Sequence, residues 1–427
     1  MTVAQLHYPT SLPTAAEPAA RTSARLPALD GLRGVASLVV VFHHLYLIAV
    51  PGLLALGGTA VGSAYWWVSE TPLKLATAGT EAVTVFFILS GLVVALPALR
   101  TPTFLWRSFF ASRAVRLYLP VWVAILAAAC SIWFLPRGTS AATGGSWLAT
   151  ANARSAPLGY LLSQASLTRV GYGVDNVLWS LRWELVFSAL LPIFVLAARR
   201  LGAMTLPALA ACVIASTAGA LAHIDALHYL PVFFIGTAIA ARLDDLRAFA
   251  DGLIHRRRAR CSAVALVCVS GLLLIAGWLS RGIAPASSAA GVILEQLSVL
   301  GGLGLVVAVI ATNGARRTLE RPIAQRLGKV SFSLYLVHVP VLVTLAFAFG
   351  DRMWWLVGLV GVPASLVLAL AFYTGVERPA HQLARRVATL IEHGRIGPPA
   401  PQPRLKEFTA GGPRTGLAQL VPVGWIR

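Results

Sequence analysis

Charged side chains are scarce in this chain. Of its 427 residues only 12% are Asp, Glu, Lys or Arg, whereas 57% are hydrophobic, and the mean hydropathy is +0.75. A soluble domain carries about 25% charged residues, so half of the usual solvating surface is missing. This scarcity excludes a water-soluble fold of this length and indicates an all-α integral membrane protein.

Acidic residues and lysines are also few. The chain has 35 Lys and Arg against 16 Asp and Glu, a net charge of +19, and only three of the basic residues are lysines. In a soluble protein such an excess would indicate a nucleic-acid partner. In a membrane protein the positive-inside rule explains it, because Lys and Arg collect in cytoplasmic loops. We therefore expect this chain to lie in a lipid bilayer and to bind no nucleic acid.

Cysteine is rare and a signal peptide is lacking. The four cysteines lie inside apolar runs without paired spacing, which favours buried small side chains over disulfides or a metal site. No cleavable signal precedes the first apolar run, which begins near residue 35. The sequence thus predicts neither a metal nor a tightly bound cofactor.

Long apolar runs are abundant. A helical span needs about 20 mostly apolar residues, and the runs that qualify predict a bundle of about ten transmembrane helices. Basic residues divide unequally between the connections: 28 of the 35 fall on one side, which predicts that both termini are cytoplasmic. The runs are 33–53, 81–99, 117–135, 178–198, 203–221, 226–241, 261–280, 287–311, 331–349 and 354–375.

The runs define one transmembrane domain over residues 26–386. Residues 1–25 precede it as a Pro-, Ala- and Thr-rich segment, and residues 387–427 follow as a basic tail rich in Pro and Gly. Both are expected to be disordered and cytoplasmic. The longest connections on the opposite side are 51–80 and 136–177.

The first run carries an ionisable group at mid-membrane depth. His44 follows Arg33 by 11 residues, which is about 16 Å along a helix and about half of a hydrocarbon core of roughly 30 Å. Polar groups at that depth are costly and mark functional sites. The imidazole could be a general base, a nucleophile or a hydrogen-bonded structural group.

The fourth run carries a polar stripe. Ser180, Glu184 and Ser188 recur at every fourth residue, and Arg182 points to the opposite side. Glu184 is expected about 7–8 Å below the outer end of this helix. Its carboxylate either takes part in chemistry or bonds to a neighbouring helix.

Three further features leave alternatives open. Tyr335 and His338 share one face of the ninth run, where a catalytic role and a helix–helix hydrogen bond both fit. Arg113 and Arg116 are spaced to face the same way, and guanidinium forks suit phosphate oxygens, although membrane topology alone also explains them. Glu295 lies within a span without an evident partner.

Six stretches, in this order, resemble acyltransferase family 3, the bacterial multi-span O-acyltransferases that modify sugars. They are LDGLRGVASLVVVFHH (29–44), FFILSG (86–91), SRAVRLYLP (112–120), WSLRWELVF (179–187), LGKVSFSLYLVHVPV (327–341) and VERPA (376–380). The family's pattern of an arginine, ten residues and a histidine falls on Arg33 and His44.

The resemblance implies the substrates and the location. The donor would be acyl-CoA, usually acetyl-CoA, at the cytoplasmic face of a bacterial cytoplasmic membrane. The acceptor would be a hydroxyl of a carbohydrate, a glycolipid or a glycosylated metabolite.

Together these features give a hypothesis for the site. His44 and Glu184 would be catalytic, with His44 either deprotonating the acceptor or carrying the acyl group as an acyl-imidazole. The same residues could instead line the path of a transporter or flippase for a lipid-linked saccharide, or belong to a structural scaffold. Acyl-CoA phosphates are assigned to Arg33, Arg113 and Arg116, and substrate binding or support to Asp30, Ser90, Trp179, Ser180, Tyr335 and His338.

Overall fold

The computed structural model describes residues 26–138, 141–168, 171–254 and 259–394. These residues form helices and connecting segments, with no strand among them. The α-helices are α1 (Pro27–Ala55), α2 (Ala64–Ser69), α3 (Gly79–Arg100), α4 (Trp106–Phe134), α5 (Trp147–Thr150), α6 (Leu158–Ala165), α7 (Leu178–Arg200), α8 (Thr205–Leu221), α9 (Asp225–Ala241), α10 (Leu243–Ile254), α11 (Ala259–Leu274), α12 (Ala276–Leu279), α13 (Ala289–Ala311), α14 (Asn313–Leu319), α15 (Pro322–Phe349), α16 (Trp354–Phe372) and α17 (Arg378–His393).

The chain is a multi-pass membrane protein. Eight helical stretches in the described residues are long and apolar enough to cross a membrane: α1, α3, α4, α7, α13, α15, Gly202–Leu221 with α8, and Asp351–His393 with α16 and α17. A ninth candidate is the pair α9 and α10, bent by 63°. The seventh predicted run corresponds to α11, which at 16 residues is shorter than a span. The predicted count of ten is therefore met in part.

Two helices begin nine or more residues earlier than the apolar runs indicated. The helix α4 starts at Trp106 rather than 117, and α15 starts at Pro322 rather than 331. In both cases a basic segment continues the helix, because backbone hydrogen bonding does not end where hydropathy falls. A proline at the first turn favours the start of α15. These extensions carry polar side chains toward the site described below.

Small residues let the helices that carry the site approach closely. At the crossing of α1 and α15, Gly34 and Gly328 lie so close that a Cβ at either position would meet backbone atoms of the other helix. Gly91 of α3 and Gly236 of α9 make a similar contact. Glycine at a helix interface permits this close backbone approach. The α1–α15 crossing brings His44 and His338 into one layer.

The long connection between α4 and α7 is folded against one end of the bundle. Arg137 donates to the carbonyl of Ala153 at 2.6 Å, and the carboxylate of Asp351 accepts from the N–H and the hydroxyl of Thr143 at 2.6 and 3.2 Å. Leu148, in α5, is fully buried. This connection therefore supplies fixed side chains to the bundle.

The C-terminal part differs from prediction at one boundary. The helix α17 continues to His393, so residues 387–393 belong to the folded part rather than to the predicted tail. The predictions of disorder for 1–25 and for 395–427 lie outside the described residues.

Candidate active site

Two histidines from different helices meet at the centre of the site. His44 of α1 and His338 of α15 have ring centroids 5.0 Å apart, with Nδ1 of His44 3.1 Å from Nε2 of His338. Both side chains are buried, at 7% and 0% exposure. The structure thus brings together two of the residues that the sequence analysis singled out separately.

Backbone carbonyls fix the protonation of this pair. Nδ1 of His44 lies 2.9 Å from the carbonyl of Val40, and Nδ1 of His338 lies 2.8 Å from the carbonyl of Leu334. A carbonyl oxygen only accepts, so each Nδ1 carries a proton and, in the neutral rings, each Nε2 carries a lone pair. His338 then uses its Nε2 to accept from His44, which leaves Nε2 of His44 as the available basic nitrogen.

Two further rings surround His44. His43 turns away from His338 and places its Nδ1 3.0 Å from the carbonyl of Thr77. Trp147 of α5 lies against the imidazole of His44, with ring centroids 5.4 Å apart. Sequence reasoning missed Trp147, because no periodicity relates the 136–177 connection to the first span.

A small cavity of about 60 Å³ borders a basic region, with Arg33 in its lining. In its wall the hydroxyls of Tyr335 and Ser180 lie within hydrogen-bond distance of each other. The Tyr335 ring is 6.1 Å from that of His338. Tyr335 therefore lies between the histidine pair and this cavity, and the supporting role assigned to it and to Ser180 stays a prediction.

Two larger cavities, of about 590 and 610 Å³, meet at the basic region. Asp30 lines the first cavity and Ser90 the second. The lining that the two cavities share consists of Arg33, Arg113, Arg116 and Glu184. The three arginines predicted to act together are therefore brought together.

Glu184 contacts the basic region rather than an imidazole. Its Oε1 accepts from Nη2 of Arg113 at 2.5 Å and from the hydroxyl of Ser90 at 3.4 Å, while Nε of Arg113 donates to Ser188 at 3.1 Å. The carboxylate thus belongs to the basic region, and the partner of His44 is His338. The reason is that α4 is helical from Trp106, so Arg113 projects from its second turn toward α7.

Trp179 is surrounded by other aromatic side chains. Its ring packs in an aromatic cluster, with centroids 6.2 Å from Phe87 and 5.4 Å from Tyr229. The indole next to His44 is that of Trp147.

Glu377 is a second residue that the sequence analysis left without a role. It is buried, lines the first cavity, and accepts from the N–H of Ser333 at 3.1 Å and from its hydroxyl. His381 lies 3.8 Å away. The sequence signal for Glu377 was an acidic residue just after the last apolar run, within VERPA. Nothing in the sequence indicates that this residue faces Arg33 or Arg116 across the cavity.

A charged cluster lies near the other end of α1. Nζ of Lys74 is buried between the rings of Tyr46 and Trp278, at 4.0 and 3.5 Å from their centroids. Burial lowers the pKa of Lys74 to about 7. Arg281 lies 3.8 Å from Glu295, which supplies the partner that the sequence did not reveal.

The described residues contain no group of three or more His, Cys, Asp or Glu side chains placed to hold a metal ion.

The fold and the site define a multi-pass membrane protein that holds a buried histidine pair and, apart from it, a region lined by arginines. A family model for an acyltransferase domain, that of acyltransferase family 3, matches residues 26–374. The chain therefore belongs to this family and is an acyltransferase. No curated protein and no solved structure matches it.

Proposed function

We propose that the protein is a membrane O-acyltransferase of the bacterial cytoplasmic membrane. It moves an acyl group, in the first place acetyl, from acyl-CoA at the cytoplasmic face to a hydroxyl of a carbohydrate, glycolipid or glycosylated metabolite. The observation that carries the proposal is the available Nε2 of His44, whose Nδ1–H is held by the Val40 carbonyl and by His338.

The arginine-lined cavities support the donor side. Arginine forks bind phosphate oxygens in two-point contacts, and the phosphates of CoA need several such donors. The second cavity adds an apolar wall, with Leu89, Val93 and Phe104, that suits the adenine ring or the pantetheine arm. Each cavity is within the range of sites that enclose small molecules, about 300–1,000 Å³.

The chemistry follows from the free nitrogen of His44. As a general base, Nε2 takes the proton of the acceptor hydroxyl while its oxygen attacks the thioester carbonyl, and the CoA thiolate that leaves is then protonated. As a nucleophile, Nε2 attacks the carbonyl itself and CoA leaves as the thiolate; the acceptor hydroxyl oxygen then attacks the acyl-imidazolium, Nε2 leaves, and the hydroxyl proton ends on the thiolate. Both routes end with one ester and one free CoA thiol.

Release of CoA thiol from acetyl-CoA by the purified protein, dependent on an added glycan, tests the proposal. We expect His44→Ala to lower this rate by about 10²–10⁴-fold, the range of general acid–base catalysis. We expect His338→Leu to lower kcat with little change in the KM for acetyl-CoA, because it removes one of the two acceptors of the His44 Nδ1–H.

The control variant is His223→Asn, at an exposed histidine with φ of 55°, a backbone conformation that asparagine tolerates. Full transfer by a normally expressed His44→Ala protein would overturn the assignment. Movement of a saccharide without consumption of acyl-CoA would instead identify a transporter.

A further inference from the structure

We infer that Trp147 is the acceptor-binding platform of the site, presenting its indole to the face of a carbohydrate ring beside His44. The inference rests on the proposed function and adds a residue that determines acceptor specificity. Its basis is that Trp147 is the aromatic side chain which the 136–177 connection places against His44, at 5.4 Å between ring centroids.

The position of Trp147 is fixed by its surroundings. Ser146 caps α5 by accepting from the N–H of Ala149 at 3.3 Å, and the side chain of Asn152 donates to the Trp147 carbonyl at 3.2 Å. The next residue, Leu148, is fully buried in the core. An indole held at both ends of its short helix can serve as a rigid surface, which limits the entropy lost when a ligand binds.

The location of Trp147 assigns it to the acceptor rather than to the donor. The groups suited to CoA phosphates, Arg33 and Arg113, line two cavities whose linings do not include Trp147. Trp147 comes from the connection between the last turn of α4 and the first turn of α7, far along the chain from the basic start of α4. The surface next to His44 is therefore the uncharged indole of Trp147, whereas the arginines assigned to the donor line separate cavities.

The chemistry of indole fits a carbohydrate. A pyranose ring presents C–H groups on one face and hydroxyls around its edge, and indole offers an apolar face together with one N–H donor. The ring is half-buried, so part of its surface is free for a ligand. A sugar stacked there would hold a hydroxyl within reach of Nε2 of His44.

The experiment compares acceptors of different shape with acetyl-CoA as donor. Methyl glycosides of glucose, galactose and N-acetylglucosamine serve as stacking acceptors, and n-butanol serves as an acceptor without a ring. We expect Trp147→Ala to raise the KM for the best glycoside by about tenfold, the loss of one aromatic contact. Its KM for acetyl-CoA and its rate with n-butanol should stay within about twofold of the wild type.

Trp147→Phe should recover most of the glycoside affinity, because it restores an aromatic face. The matched control is Trp67→Ala, which removes a tryptophan that is 51% exposed on α2. An equal loss with glycosides and n-butanol would show a structural role for Trp147, and an unchanged KM for the glycosides would also overturn the inference.

Glycoside binding measured without donor separates this inference from the proposed function. Saturation-transfer NMR of the methyl glycosides on the wild-type protein should show contact with the ring C–H groups, and Trp147→Ala should lose it. If the wild type consumes no acetyl-CoA but this difference remains, the proposed function fails and the inference stands. If the wild type and Trp147→Ala give the same saturation-transfer signal, the inference fails whether or not the wild type consumes acetyl-CoA.

Discussion

The guanidinium of Arg113 is held by two acceptors of its own chain before any substrate arrives. Nη2 bonds to Glu184 and Nε bonds to Ser188, and both charged side chains are largely buried, at 16% and 21% exposure. A phosphate of acyl-CoA would therefore compete with Glu184 for this arginine. Because acyl-CoA must break this ion pair to bind, its affinity depends on the difference between two charge-assisted contacts, Arg113 with phosphate and Arg113 with Glu184.

This competition predicts opposite effects at the two partners. Arg113→Ala should raise the KM for acetyl-CoA by about tenfold or more, the loss of one charge-assisted hydrogen bond, and should raise the KM for the acceptor less. Glu184→Gln should lower the KM for acetyl-CoA or leave it unchanged, because it frees the guanidinium. Steady-state kinetics with each substrate varied would check this. A larger effect of Arg113→Ala on the acceptor KM would move the donor site elsewhere.

The buried amine of Lys74 predicts a pH dependence of stability. Because burial lowers its pKa from about 10.5 to about 7, the folded protein binds fewer protons than the unfolded chain between these values. The free energy of unfolding should therefore rise as the pH increases from about 7 to about 10.5. Lys74 should cause no such rise below pH about 7.

The measurement is the difference in Tm between the wild type and Lys74→Met from pH 6 to pH 9. The Tm of the wild type should rise relative to that of Lys74→Met as the pH increases. Lys329→Met, at an exposed lysine, controls for removal of a lysine as such. A difference that is flat over this range, or falls, would contradict the inferred state of Lys74.

At the scale of helices, the apolar runs predicted where chain segments become helical but not where they end. Hydropathy gave the interior of α4 and α15 correctly because a membrane span must be apolar. It missed their basic first turns, since a helix continues wherever its backbone bonds are satisfied. Those turns carry Arg113 toward Glu184, a contact between α4 and α7 that spacing along either helix cannot reveal.

The crossing of α1 and α15 holds the histidine pair, and it depends on glycine. A Cβ at Gly328 would meet the carbonyl of Asp30, which is backbone and cannot move aside cheaply. Gly328→Val should therefore destabilise the protein by about 1–3 kcal/mol, the range for overpacking, and lower the acyl transfer rate by separating His44 from His338. The same change at a glycine without neighbours should do neither.

Gly314 provides that control, because a Cβ there meets no atom within 4 Å. Thermal unfolding of Gly328→Val and Gly314→Val, with transfer rates measured below the lower Tm, would check the prediction. Equal Tm values for the two variants would show that the crossing tolerates a side chain and that the glycine contact does not fix the histidine pair.

At the scale of the whole molecule, the site joins side chains that are distant along the chain. His44 and His338 are separated by 294 residues, and Trp147 comes from a connection between them. The sequence could predict His44, because an imidazole in an apolar run is unusual whatever surrounds it. It could not predict Trp147 or Glu377, since their importance comes from what the bundle places opposite them.

The orientation of the bundle decides whether the donor can reach the arginines. The asymmetry of basic residues predicts that the start of α4 and the 311–321 connection are cytoplasmic, together with the arginine-lined cavities. The 280–288 connection is then on the outer face. Acyl-CoA is a cytoplasmic, membrane-impermeant molecule, so the opposite orientation would leave Arg33 and Arg113 on the side without a donor.

Single cysteines test this orientation in intact cells. With Cys130, Cys212, Cys261 and Cys268 first replaced by serine, we expect a membrane-impermeant maleimide to label Gly282→Cys but not Arg317→Cys until the cells are opened. Both positions are exposed, so the label is excluded only by the membrane, and a Cβ at Gly282 meets no atom within 4 Å. Labelling of Arg317→Cys in intact cells would place the cavities on the outer face. It would contradict both the topology and acyl-CoA as donor, because the positive-inside rule and the proposed reaction depend on the same face being cytoplasmic.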